Sequence, residues 1–144
     1  MKHAGVQIAE ITEHLFLSGR GAITSERLSM LGITHVLNVA EEIHNMTYPS
    51  DYPLICHLIA MKDNSDENIL SSVDKCFDFI CDAINTGGRI LVHCVAGVSR
   101  SASICIMYLM KYNNLSLQEA YKPCPELSRL YLSQHWLLEV NDRV

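Results

Sequence analysis

The chain of 144 residues is predicted to be an α/β protein with a central mixed, mostly parallel sheet flanked by helices, its most unusual loop joining a strand to a helix. Three observations predict this. Short apolar runs, "THVLNVA", "LICHLIA" and "RILVHC", alternate with segments of helical spacing. The helical segments begin and end at capping residues. The length suits one domain, residues 1–144, with one substantial core.

In chain order, "GVQIAEIT" and "HLFLSG" read as two short strands joined by a turn. "TSERLSMLG" is a short helix with Thr24 or Ser25 as N-cap and Gly32 just past its end. "THVLNVA" is a buried strand. Residues 41–53, "EEIHNMTYPSDYP", form a polar surface loop. "LICHLIA" is a second buried strand, followed by the polar loop "MKDNSDEN". From Ile69, apolar positions at Val73, Cys76, Phe77, Ile80 and Ile84 define one face of a helix, which "TGG" closes. "RILVHC" is a wholly buried strand, and "RSASICIMYLMKY" a helix ending near Asn113 and Asn114, with Met107, Tyr108, Leu109 and Met110 packing the core. Ser116 and Glu119 form a capping box for another helix, which Pro123 and Pro125 stop early. "LYLSQHWLLEV" is expected to be the last helix.

Composition narrows the functional classes. Apolar residues make up 49% and charged residues 19%, the balance of an ordinary globular chain. No apolar run is long enough for a membrane span, and "MKHAGVQIAEITEH" lacks a secretory pattern. Eleven basic against 16 acidic residues give a net charge of −5, with no basic stripe for nucleic acid. Cys56, Cys76, Cys81, Cys94, Cys105 and Cys124 form no CxxC pair and sit mostly in apolar runs. They read as thiols of a reducing compartment, cytoplasm or nucleus.

The run "VHCVAGVSRSAS" carries the chemistry. A loop between a strand and a helix turns backbone N–H groups toward one centre, and the helix dipole adds positive potential. Val95, Ala96, Gly97, Val98, Ser99 and Arg100 would hold a phosphate there, with Gly97 allowing the bend and Arg100 giving a planar fork of donors. The donors that hold phosphate also stabilise a thiolate at Cys94, placed for attack on phosphorus. Ser101 can donate to the Cys94 sulfur, or it simply sits in the first helical turn. His93 points away from the substrate and can bond the loop backbone; zinc binding by His93 and Cys94 is disfavoured because neighbours on a strand face opposite ways. Asn38 and Ser99 are candidates to bond the loop. Displacing an ester oxygen needs a proton donor. Asp63, on the loop after a strand, qualifies, against the plainer reading of a turn former; Asp66 and Glu67 fit a helix N-terminus better.

The run from His93 to Ser101 matches the HCxxGxxRS signature of cysteine-dependent protein phosphatases. With "LFLSG", "GITHVLNVA", "LVHCVAGVSRSASICIMYLMKY" and "LSLQEAY", the chain resembles the atypical dual-specificity phosphatases over about residues 7–122. The resemblance implies hydrolysis of phosphotyrosine and phosphoserine or phosphothreonine in protein substrates, through a cysteinyl-phosphate and with no metal or other cofactor. It also implies that Asp63, 31 residues before Cys94, is the general acid. After "EAY" the chain departs from the family, with "KPCPELSRLYLSQHWLLEV" in place of a longer helix and an Arg-Pro pair; Trp136 would take the aromatic anchor position.

Two other functions compete. A phosphatase of lipid, RNA 5′-phosphate or glucan would want cations near the loop, and Val95, Ala96, Val98 and Ser99 supply none. A phosphoprotein-binding scaffold without turnover is disfavoured by the presence of both Cys94 and Arg100. The 41–53 loop is expected to wall the pocket and set its depth.

Overall fold

The computed structural model describes residues 8–61, 70–95 and 99–121. In chain order they form strands β1 (Ala9–Glu10) and β2 (Leu15–Gly19), helix α1 (Ser25–Leu31), strands β3 (His35–Ala40) and β4 (Ile55–Met61), helix α2 (Leu70–Asn85), strand β5 (Ile90–Cys94), and helices α3 (Ser99–Tyr112) and α4 (Leu117–Tyr121). Single 3-10 turns follow β2 at Arg20–Ala22 and β3 at Glu41–Ile43. The sheet order is β1-β2-β5-β3-β4. Only the β1–β2 pair is antiparallel, so the sheet is mixed and mostly parallel as predicted.

The central strands are buried on both faces, which is why they read as continuous apolar runs. Side chains alternate between the faces. Phe16, Val36 and Leu91 meet Leu28 and Ile33 on the side of α1. Leu17, Leu37 and Val92 meet Cys76, Ile80 and Ile106 on the side of α2 and α3. Each fully buried Leu or Ile contributes roughly 1.5–3 kcal/mol relative to exposure.

Local signals fix the ends of the elements. Thr24, not Ser25, caps α1, its Oγ1 accepting from Arg27 N at 3.2 Å. Gly32 ends that helix at φ 68°, a left-handed value that favours glycine. The Ser116–Glu119 capping box is present: Glu119 N donates to Ser116 Oγ at 3.2 Å, and Ser116 N to Glu119 Oε1 at 2.9 Å. The expected final helix, the Pro123 and Pro125 stop and Trp136 lie outside the described residues.

One element differs from expectation. β4, predicted to be buried, is an edge strand: Ile55 is 59% and Leu58 40% exposed, and only Ile59 and Met61 are buried. Its apolar run serves one face. His57 stacks on Phe79 of α2 at 5.0 Å, and Ile59 and Met61 join the α2-side core. The α1-side cluster contains no β4 residue, so Cys56 and Leu58 stay open on that face.

Gly88 positions β5 by packing where no side chain fits. A Cβ there would meet Thr34 Oγ1 at 2.4 Å, and Ala83 O and His35 Nδ1 at 3.0 Å. Gly88→Ala should cost about 1–3 kcal/mol through overpacking, read as a lower urea midpoint; an unchanged midpoint would contradict this packing.

Candidate active site

β5 lies at the centre of the sheet and delivers Cys94 to its carboxyl edge, where open parallel sheets place ligands. The chain re-enters a helix at Ser99, so residues 95–98 bridge a strand end and a helix start. Ala96, Gly97 and Val98 lie outside the described residues, as do Asp63, Asp66 and Glu67; of Ser99 only the helical backbone is described.

The first turn of α3 turns Ser101 back toward the nucleophile candidate. Cys94 Sγ is 3.2 Å from Ser101 Oγ and 3.7 Å from the Val95 carbonyl oxygen. Cys94 is 2% exposed and Ser101 wholly buried. The hydroxyl is therefore in reach to donate to a sulfur anion, in a setting where water does not compete.

Arg100 is 3% exposed, and its charge is matched from two other elements. Nη1 donates to Glu42 Oε1 at 2.7 Å and to the Met61 carbonyl oxygen at 2.8 Å; Nη2 donates to Glu42 Oε2 at 2.7 Å. This is a bidentate carboxylate pair, the strongest geometry open to a guanidinium. The Arg100 hydrogen bond holds the Glu42 carboxyl below the usual carboxylate range, against a smaller opposing effect of burial. The pair uses the Nη1–Nη2 edge of the guanidinium. The Nε–Nη2 edge is the second bidentate face that arginine can offer an oxyanion.

His93 precedes Cys94 on β5. Its Nδ1 is 3.2 Å from the Cys94 carbonyl oxygen, and its Nε2 is 2.7 Å from the Tyr48 hydroxyl. Burial pushes the imidazole down to about 4, against a smaller raising effect of the Cys94 carbonyl, so the ring is neutral near pH 7. A carbonyl can only accept, which assigns the proton to Nδ1. Nε2 then accepts from Tyr48, whose hydroxyl burial raises above its ordinary value. The 41–53 loop is thus pinned to the backbone of Cys94 through Tyr48 and His93.

Of the residues singled out in the sequence, Cys94, Ser101 and His93 come together, with Val95 half-buried beside them, while Arg100, one residue before Ser101 on α3, is bonded to Glu42 and Met61. Asn38 bonds within its own turn; the loop residues it was expected to reach, 96–98, lie outside the described residues. Its amide donates to Ile43 O at 2.9 Å and its Oδ1 accepts from Ala40 N at 2.9 Å, which shapes the turn carrying Glu42. Glu42 and Tyr48 went unread in the sequence. Both sit in a polar loop where a lone Glu or Tyr carries no periodic signal, and only the fold brings Glu42 to α3 and Tyr48 to β5. Among the described residues, no group of three or more His, Cys, Asp or Glu side chains could hold a metal ion.

The model of the dual specificity phosphatase catalytic domain matches residues 15–130. The chain belongs to the dual specificity phosphatase family. Human dual specificity protein phosphatase 14 is 42% identical over 120 residues, covering 79% of this chain and 57% of that protein. Dual specificity protein phosphatase 1B of Arabidopsis thaliana is 37% identical over 117 residues, 81% of this chain and 68% of that one. The chain spans less than two thirds of the length of most of these relatives, 57% for human dual specificity protein phosphatase 14 and 30% for human dual specificity protein phosphatase 1. Among solved structures, human tyrosine phosphatase-like serine/threonine/tyrosine-interacting protein superposes with TM-score 0.80 at 24% identity, covering 96% and 95% of the two chains. A point variant of human DUSP28 gives 0.77 at 26% identity over 94% of each chain. The α/β architecture read from the sequence is therefore that of the dual specificity phosphatases.

Two outcomes follow for the phosphatase-family site. By NMR, the His93 ring should remain neutral with its proton on Nδ1 at pH 6, where an exposed histidine of ordinary value near 6.5 would be mostly charged; a charged ring would contradict the Tyr48–His93–Cys94 chain. Because its folded value lies below the unfolded one, the unfolded chain takes up the proton first as pH falls. Stability is present above about pH 6.5 and lost toward about pH 4. Glu42→Gln should cost about 1–2 kcal/mol in urea unfolding, less than a fully buried pair because Glu42 is 49% exposed; no change would mean the pair holds nothing.

Proposed function

We propose that the chain is a metal-independent protein phosphatase, a single catalytic domain over residues 1–144, that hydrolyses phosphotyrosine and phosphoserine or phosphothreonine through a cysteinyl-phosphate. The observation that carries the reading is Cys94 Sγ at 3.2 Å from a buried Ser101 hydroxyl, at a strand end that runs directly into a helix bearing the buried Arg100. Family membership supports the same reaction.

In this reading the Cys94 thiolate attacks phosphorus in line. The S–P bond forms as the bond from phosphorus to the ester oxygen breaks, and Asp63 gives its proton to the departing oxygen. The 95–100 loop and Arg100 hold the three equatorial oxygens, whose charge the transition state spreads. Water then attacks phosphorus, Asp63 takes its proton, and the sulfur leaves as thiolate with Ser101 donating to it. Every role falls to a side chain or backbone amide of the chain, so the reading calls for no cofactor. Loop 41–53 walls the pocket and has no long insertion, which favours a shallow pocket open to short phosphoserine as well as phosphotyrosine.

The substrates are phosphorylated proteins in the cytoplasm or nucleus. The described cysteines are free thiols, three of them buried, which supports a reducing compartment. Among the described residues, no helix is long and apolar enough to cross a membrane.

Mixing the protein with an aryl phosphate should release a burst of phenolate near one equivalent, followed by slower turnover. Cys94→Ser should abolish both, and turnover that persists would refute the nucleophile. Asp63→Asn should slow esters with poor leaving groups by roughly 10²-fold or more while sparing activated aryl phosphates; an equal loss across leaving groups would remove Asp63 as the acid.

A further inference from the structure

We infer that Arg20 and the cleft beside it form a second anion site, which holds an acidic group of a peptide substrate next to the phosphate loop. This rests on the phosphatase reading for what occupies the loop, but not on turnover.

Topology brings Arg20 there. β5 lies between β2 and β3, and all three run parallel, so their carboxyl ends share one edge. The segments that follow β2 and β3 therefore flank Cys94 on both sides. Gly19 is the register partner of Cys94, and Arg20 is the next residue. With strands about 4.8 Å apart and consecutive Cα atoms about 3.8 Å apart, the Cα of Arg20 is within about 9 Å of that of Cys94. In an extended peptide that distance spans two to three residues.

A cleft of about 400 Å³ opens at this point, lined by Arg20, Gly21, Ile43, Asn45, Met46 and Thr47. Its polar side chains are a guanidinium, a carboxamide and a hydroxyl, all able to donate to an anion. Among the described residues no carboxylate lines it. Arg20 is exposed, and among the described residues no ion pair engages it. Glu42, the acidic group nearest in sequence to the far wall, already has both oxygens on Arg100. In a chain of net charge −5, an acidic substrate meets an unfavourable overall field. A local cation beside the loop therefore decides whether a flanking acid is accepted. The sequence placed no cation near the loop because Arg20 lies 74 residues before Cys94; strand pairing removes that separation.

The shared ligand chemistry is an oxyanion that a guanidinium can take in two bonds. Its source is either an Asp or Glu side chain or a second phosphorylated residue. Three phosphotyrosine peptides separate these, identical except for Ala, Asp or phosphoserine two residues from the phosphotyrosine, made with the variable residue on either side. Fluorescence anisotropy on Cys94→Ser protein gives their affinities without turnover. One acidic peptide should bind about tenfold tighter than the Ala peptide, with the gain shrinking as salt rises. In Cys94→Ser/Arg20→Gln the ratio should fall to near one, and Arg20→Lys should keep part of it. The stronger of the Asp and phosphoserine arms names the source. Equal affinity for all three peptides, no binding of any, or a preference that survives Arg20→Gln would overturn the site. If wild type does not turn over an aryl phosphate but the Arg20-dependent preference stands, the phosphatase reading falls and the anion site remains. Turnover without the preference has the reverse meaning.

Discussion

A buried guanidinium organises this end of the molecule. Arg100 starts α3 with almost no exposure, and burying an unmatched cation costs several kcal/mol. The chain meets that cost from two places: the Glu42 carboxylate after β3 and the Met61 carbonyl at the end of β4. One side chain thereby ties a helix start to the ends of two strands. These ties fix where α3 begins, and so fix Ser101 over the Cys94 sulfur.

The second tie is neutral. Tyr48 donates to a His93 ring that burial keeps uncharged, and His93 donates to the carbonyl of Cys94. The 41–53 loop thus supplies Glu42 to Arg100 and Tyr48 to His93, with Asn38 closing the turn between β3 and Glu42. A loop that reads as a polar connection is thereby bonded to both the helix and the strand that carry Arg100 and Cys94. Its hold on β5 passes through backbone and side-chain groups that cannot slide, because each donor faces one acceptor.

The sequence made the central sheet legible because β2, β3 and β5 are buried on both faces, and such strands are apolar without interruption. Capping residues such as Thr24, Gly32 and the Ser116–Glu119 box act within a few residues, so they too could be read locally. β4 misled because Ile55, Leu58 and Ile59 look alike in sequence, whereas only an edge strand leaves the first two exposed. Cys94, Arg100 and Ser101 were legible because one loop carries them at fixed spacing. Glu42, Tyr48 and Arg20 were not, since each is placed by strand order and register rather than by its neighbours in sequence. Nor were the partners of Asn38 legible, Ile43 O and Ala40 N in its own turn, because a lone Asn on a strand carries no signal for them.

The central claim is that phosphorus is transferred to the sulfur that this frame holds under Ser101. It is tested most directly by acid-quenching the protein within milliseconds of adding a phosphopeptide labelled in its phosphoryl group, then mapping the label by digestion and mass spectrometry. The account predicts a labelled peptide containing Cys94, with the phosphoryl group released by iodine as expected of a phosphorus–sulfur bond. Steady turnover with no label on that peptide, or with label on another residue, would contradict it.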